Sequence, residues 1–174
     1  MKYPRRGFTL VELLAVVAII GILAAVAMVG YRAHIRDARA AEAIVLLQGI
    51  KGGENALQGE RLTYLGCSDS LTDFYPHATP DTKPWHWVQP SHPDVGCWRT
   101  LNVAPDGATM FVFSLVAGGP GETPPTPPGF PAIPVQNQPW FVAYAVGDQD
   151  GDGDLARFWT GSMVSGVGVV DRTE

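Results

Sequence analysis

Hydrophobic residues follow three unlike patterns along this chain. From Phe8 to Tyr31 they run almost unbroken, FTLVELLAVVAIIGILAAVAMVGY, with Glu12 as the one charge in 24 residues. A helix of that length spans about 36 Å, enough to cross a hydrocarbon layer roughly 30 Å thick. From Arg32 to Leu57 the apolar positions instead recur at helical spacing. Ile35, Ala38, Ala41 and Val45 form a stripe, widened by Ile44 and Leu47, while Arg32, Arg36, Arg39 and Glu42 supply polar positions. The stripe predicts a helix seated on a sheet, ending in the region of Gly52-Gly53 and Gly59. The two segments together make one helix of roughly 50 residues, too long for an ordinary globular domain but natural for a spine half in a membrane and half in a head. The third pattern is strand-like: Met110–Ala117, Trp140–Val146, Leu155–Thr160 and Met163–Val170. Four short strands after one long helix predict an α+β head, with an antiparallel four-stranded sheet packed on the helix.

Between these elements the chain is punctuated by proline. Residues 60–108 read as irregular, broken by Pro76, Pro80, Pro84, Pro90 and Pro93. Trp85, Trp87 and Trp98 fall here and are expected to cover the sheet edge or core. His77, His86 and His92 lie nearby without a helical ligand spacing, which argues against a metal site. The first two strands are separated by GGPGETPPTPPGFPAIPVQNQP, which holds eight of the 15 prolines. It is expected to be an extended, polyproline-like, solvated surface loop.

Charge narrows the function. The chain carries a formal −5, and taking Lys2, Arg5 and Arg6 away leaves nine basic residues against 17 acidic, a net of −8. No basic stripe is available to displace phosphate counterions, so no specific nucleic-acid site is expected. Ser/His/Asp arrangements, phosphate loops and paired carboxylates in apolar settings do not stand out, so no enzyme is expected and no cofactor is required.

The N-terminal run invites three readings: a secretory signal cut near Ala25-Val26-Ala27, a plain membrane anchor, or something that needs an acidic group inside the apolar stretch. Only the third accounts for Glu12, since an ionisable residue in a membrane span is functional by default. Gly7-Phe8-Thr9-Leu10-Val11-Glu12-Leu13, preceded by the short cationic MKYPRRG and continued by VVAIIGILAAVA, resembles the processing site of type IV prepilins and type II secretion pseudopilins. The resemblance covers about 30 residues. It implies a leader over 1–7, a membrane and polymerisation half-helix over 8–31, an amphipathic half-helix over 32–59 and a globular head over 60–174, in a type IV pilin-like fold. It also implies cleavage between Gly7 and Phe8 by a prepilin peptidase and N-methylation of Phe8. The precursor would sit in the inner membrane with a periplasmic head before joining other pilin subunits. Glu12 is then four residues beyond the new amine, about 6 Å along the helix and on nearly the same face, and pairing the two charges would relieve both. One departure is visible: the family commonly has proline where this chain has Val29, so a straighter helix is expected, weakest near Gly21 or Gly30. The resemblance implies a structural subunit of a type IV pilus serving adhesion, motility or DNA uptake. The alternative is a pseudopilin in a periplasmic piston of type II secretion.

Two smaller features complete the reading. Cys67 and Cys97 are the only cysteines, and in an exported domain an even pair reads as a structural disulfide worth about 3–4 kcal/mol on chain-entropy grounds. Asp148, Asp150, Asp152 and Asp154 alternate with glycines between two strand candidates. The pattern resembles the start of a calcium loop, although Trp159 stands where an EF-hand has its bidentate glutamate. A calcium-binding turn and a metal-free Gly/Asp hairpin turn both fit.

Overall fold

The computed structural model describes residues 7–172, so the remaining leader residues, with Lys2, Arg5 and Arg6, lie outside the described residues. In chain order the elements are α1 (Leu10–Arg61), β1 (Trp85–His86), α2 (Val95–Thr100), β2 (Ala108–Thr109), β3 (Val112–Gly118), β4 (Trp140–Gly147), β5 (Ala156–Gly161) and β6 (Gly168–Val170). The helix α1 is 52 residues long and runs without interruption through Gly21, Val29 and Gly30. The chain divides into two units, one ending at Ile35 and the other beginning at Arg36. In the first, every residue from Gly7 to His34 is exposed.

The second unit is the expected α+β head. Its sheet has the order β3-β4-β5-β6, with each neighbouring pair antiparallel. Side-chain alternation sorts the strands into two faces. Phe113 and Leu115 of β3, Phe141, Ala143 and Ala145 of β4, and Ala156 and Phe158 of β5 join Ala40, Ala43, Leu47 and Ile50 of α1 in one core. The register sets Phe113 opposite Ala145 and Leu115 opposite Ala143, so each large side chain faces a small one across the ladder.

Three expectations need correcting. Ala38, Ala41 and Val45 of the expected stripe are exposed, Val45 at 64%, whereas its Leu47 is buried together with Ala40, Ala43, Leu46, Ile50 and Glu54, and its Ile44 packs against that core. Two apolar stripes share this helix, and the one with the bulkier aliphatic residues takes the sheet because it removes more apolar area from water. The last strand is shorter than the span 163–170: only Gly168–Val170 pairs, since the chain after β5 stays tied to β4 through Ser162 N–H to the Phe141 carbonyl and then turns, with Val164 N–H donating to the Gly161 carbonyl. The proline-rich segment is not simply solvated. Pro124, Pro127 and Ile133 are buried, and Ile133 packs with Val112, Trp140, Val142, Tyr144, Val146 and Trp159 on the sheet face away from α1. Every residue of β4 is therefore buried.

The region read as irregular carries its own small scaffold. β1 and β2 pair as a two-stranded sheet, and α2 buries Trp98. A disulfide joins Cys67 to Cys97 of α2 across 30 positions of sequence, with the Cα atoms 5.5 Å apart. The backbone N–H groups of Cys67 and Ser68 both donate to the Leu115 carbonyl at 2.9 Å, which covers the free edge of β3. Replacing both cysteines with serine is expected to destabilise the head by about 3 kcal/mol and to lower its melting temperature by about 10 °C, measured by calorimetry. A shift under about 2 °C would mean that the edge contacts alone hold this loop.

Candidate functional site

The residues singled out near the N-terminus occupy the start of α1 and the extended segment before it. Gly7 and Phe8 precede the helix and are exposed, Phe8 at 80%. Thr9 caps it. The Thr9 side-chain oxygen accepts from the Glu12 backbone N–H at 3.2 Å, while Glu12 Oε2 accepts from the Thr9 backbone N–H at 2.9 Å and from the Thr9 hydroxyl at 2.7 Å. This reciprocal pair is a capping box, which satisfies backbone N–H groups that a helix start otherwise leaves without partners. The signal was present in the sequence as Thr-x-x-Glu, yet reading Glu12 only as a partner for an amine passes over it. The carboxylate thus lies at the helix N-terminus, where the macrodipole favours a negative charge. The residues that follow form an apolar surface with no neighbours: none of the most apolar 18-residue window is buried.

The second candidate is the acidic turn between β4 and β5. Asp148, Asp150 and Asp152 bring carboxylate oxygens within 4.8 Å of one another, whereas Asp154 is not part of this group. Gly151 and Gly153 take φ of +87° and +93°, conformations that a side chain would strain. The Gly151 N–H donates to Asp148 Oδ1 at 2.6 Å, and the Asp154 N–H donates to Asp152 Oδ1 at 2.8 Å. Arg36 reaches Asp150 at 3.6 Å, and Arg39 donates to the Gln149 carbonyl at 3.2 Å. The turn is therefore held by its own amides and by arginines from α1, and Arg36 competes with any cation for the Asp150 carboxylate. Sequence spacing could not show that pairing, because Arg36 and Asp150 lie far apart in the chain.

His77, His92 and the tryptophans of this region serve packing, while His86 is exposed. His77 stacks on Trp85 with ring centroids 3.9 Å apart, and a His92 ring nitrogen lies 3.1 Å from the Phe74 carbonyl oxygen. Trp87 and Trp98 are buried and meet edge-on at 5.4 Å. Asp94 faces Asp73 and Asp69, and its carboxyl is pushed up by burial first and by those two charges after it.

Comparison with known proteins bears on the first of these sites. The profile described as the prokaryotic N-terminal methylation motif matches residues 2–28. The type IV major fimbrial protein FimA of Dichelobacter nodosus is 50% identical over 62 residues, 34% of this chain and 39% of that protein. In its N-terminal region the chain is similar to type IV fimbrial proteins. A fimbrial protein of Moraxella nonliquefaciens is 51% identical over 47 residues, covering 27% of this chain and 30% of the relative. The chain thus matches about two-fifths or less of the length of these fimbrial relatives. No solved structure matches it closely enough to count as similar.

Proposed function

We propose that this chain is a structural subunit of a type IV pilus, made as a membrane-anchored precursor, cut between Gly7 and Phe8, methylated on Phe8 and polymerised through residues 8–31. The observation that carries the reading is an apolar half-helix exposed from end to end, opening on a motif that matches a methylation profile. An apolar surface of that length is stable only in lipid or against copies of itself. Polymerisation supplies the second cover after the first is left behind. The role is one of assembly rather than catalysis, with other pilin subunits, the prepilin peptidase and the inner membrane as partners.

The capping geometry gives Glu12 a specific part. Cleavage would place the new amine on Phe8, directly before the capping residue Thr9. Glu12 Oε2 already faces that end of the helix through the Thr9 N–H. It is thus poised to accept an amine from its own chain or from a neighbour docking beside it.

The pseudopilin reading shares the same motif and is disfavoured because the matched relatives are named as fimbrial proteins. Mass spectrometry of the protein recovered from sheared cell-surface filaments tests the proposal. A methylated Phe8 start in that fraction is the expected result. A start near Met28 would make the apolar run a discarded signal and end the proposal. A Phe8 start confined to the periplasm would move the chain to the pseudopilus.

A further inference from the structure

Glu54 is a carboxyl in an apolar place. It lies on the sheet-facing side of α1 with 0% of its surface accessible. Its Oε2 accepts the Leu65 backbone N–H at 2.9 Å, while Oε1 is buried without a hydrogen-bond partner. None of the ion pairs among the described residues includes it. The nearest cation along its own helix, Lys51, donates to the Val164 carbonyl instead. Arg61, at the end of α1, lies beside Leu57, Tyr64 and Leu65 without pairing to it. From the connecting segment Tyr64 is the ionisable neighbour, its phenol pushed up by burial and then by the Glu54 charge. Tyr64 itself rests on Phe141 of β4, and beyond it Gly66 rests on Ala117 of β3, so the strands bring apolar groups to this corner. The α2 side meets the helix here through the Leu101 carbonyl against Gly53.

What Glu54 holds is a joint. The helix ends at Arg61, and Leu62 stops it with φ +62° and an N–H bond to Gln58. At the far end of the span, Cys67 is fixed to Leu115 and by its disulfide. Between those anchors, the Leu65 N–H bond to Glu54 pins the chain to α1.

We propose that Glu54 is a proton-operated latch: its neutral carboxyl pins the 62–66 span to α1, and loss of the proton releases that span. An ionised Glu54 would leave a buried negative charge with one amide donor and no cation, an arrangement relieved most cheaply by swinging the connection outward into water. The direction follows from burial, which pushes this carboxyl from an ordinary 4.5 to about 7 against the opposing Leu65 amide. Below about 4.5 the closed and open states are both protonated and the latch is at full strength. Between about 4.5 and 7 the open state ionises first and closure weakens; above about 7 the loss is complete. That separation corresponds to roughly a 300-fold change in the opening equilibrium.

The test is hydrogen exchange on the full chain in detergent micelles, read as the Leu65 amide protection factor at each pH, for the parent and Glu54→Gln. The expected result is a fall in the parent of up to roughly 300-fold between pH 4.5 and 8, levelling beyond it, with a flat profile in the variant and with β4 amides unchanged in both. A flat parent profile, or the same fall in the variant, would overturn the latch. Should Glu54→Gln not fold, the carboxyl-carbon NMR titration of Glu54 in the parent decides. A midpoint near 7, at the pH where the fall in Leu65 protection levels off, supports the latch, and one near 4.5 sinks it.

Discussion

Glu12→Ala chains are expected to be cut after Gly7 as efficiently as the parent and to yield almost no surface filament. The expectation rests on two separable roles of one side chain. In the capping box Glu12 Oε2 binds the Thr9 N–H and hydroxyl, and in the proposed filament it answers the Phe8 amine. Glu12→Gln keeps an amide oxygen at the third helical position, where glutamine also closes a capping box, but removes the charge. If charge pairing drives docking, Glu12→Gln loses filaments as Glu12→Ala does. Should it assemble normally, the helix cap is the operative contribution and the amine-pairing account fails. Thr9→Ala gives the converse control, since it removes the reciprocal hydroxyl and keeps the carboxylate with its bond from the residue-9 backbone N–H. Immunoblots of sheared and cell-bound fractions, with the N-terminus read by mass spectrometry, distinguish these outcomes. A Glu12→Ala chain that is not cut at all would place the carboxylate in peptidase recognition instead.

Much of this molecule was legible because its largest features are repetitive. An unbroken apolar run can be little other than a membrane-length helix, and short runs rich in β-branched and aromatic residues such as FVFSLVAG, WFVAYAVG and ARFWTG read as strands. The bounds of β3, β4 and β5 fall within two residues of those expected from the pattern. What was not legible depends on tertiary choice. The amphipathic half of α1 carries two stripes that share Leu47, and nothing local says that Ala40, Ala43, Leu46 and Ile50 win over Ala38, Ala41 and Val45. The six-residue α2 and the two-residue β1 and β2 are too short to show a period. They form around Trp98 and the disulfide rather than from propensity. The proline-rich segment looked solvated because proline itself carries no facing signal, while Ile133 and Phe130, which seat it on Trp159 and its neighbours, are isolated apolar residues. At the N-terminal site the motif is plain, and the capping role of Thr9 lies inside it as Thr-x-x-Glu. Glu54 was invisible, sitting in the polar-looking Lys-Gly-Gly-Glu-Asn, because only the packed connection behind it reveals a buried acid.

Trp98 shows where the head keeps its largest single packing contribution. It has 0% exposure, stacks on Tyr75 at 5.2 Å with the rings 15° apart, and meets Trp87 edge-on at 5.4 Å. Trp87 in turn reaches Phe113 of β3 at 5.4 Å, and the Tyr75 hydroxyl donates to the Trp87 carbonyl. Aromatic contact therefore runs from the disulfide-bearing helix into the sheet. Trp98→Ala is expected to cost about 3–5 kcal/mol, from lost transfer energy and the cavity left behind, a large share of the 5–15 kcal/mol typical of a domain. Trp98→Phe is the informative companion. The indole N–H of Trp98 is buried without an acceptor, so phenylalanine removes an unsatisfied donor while giving up part of the ring. Those terms oppose, and a net loss of about 1 kcal/mol or less is expected from urea unfolding. A Trp98→Phe loss equal to that of Trp98→Ala would mean that a phenyl ring recovers none of the indole's packing, and would overturn the expectation. Because Cys97 is the adjacent residue, removing the disulfide in the Trp98→Ala background should cost less than it does in the parent. The loop that the disulfide restrains would already have lost its inner anchor, and the two changes act on one structure rather than on independent sites.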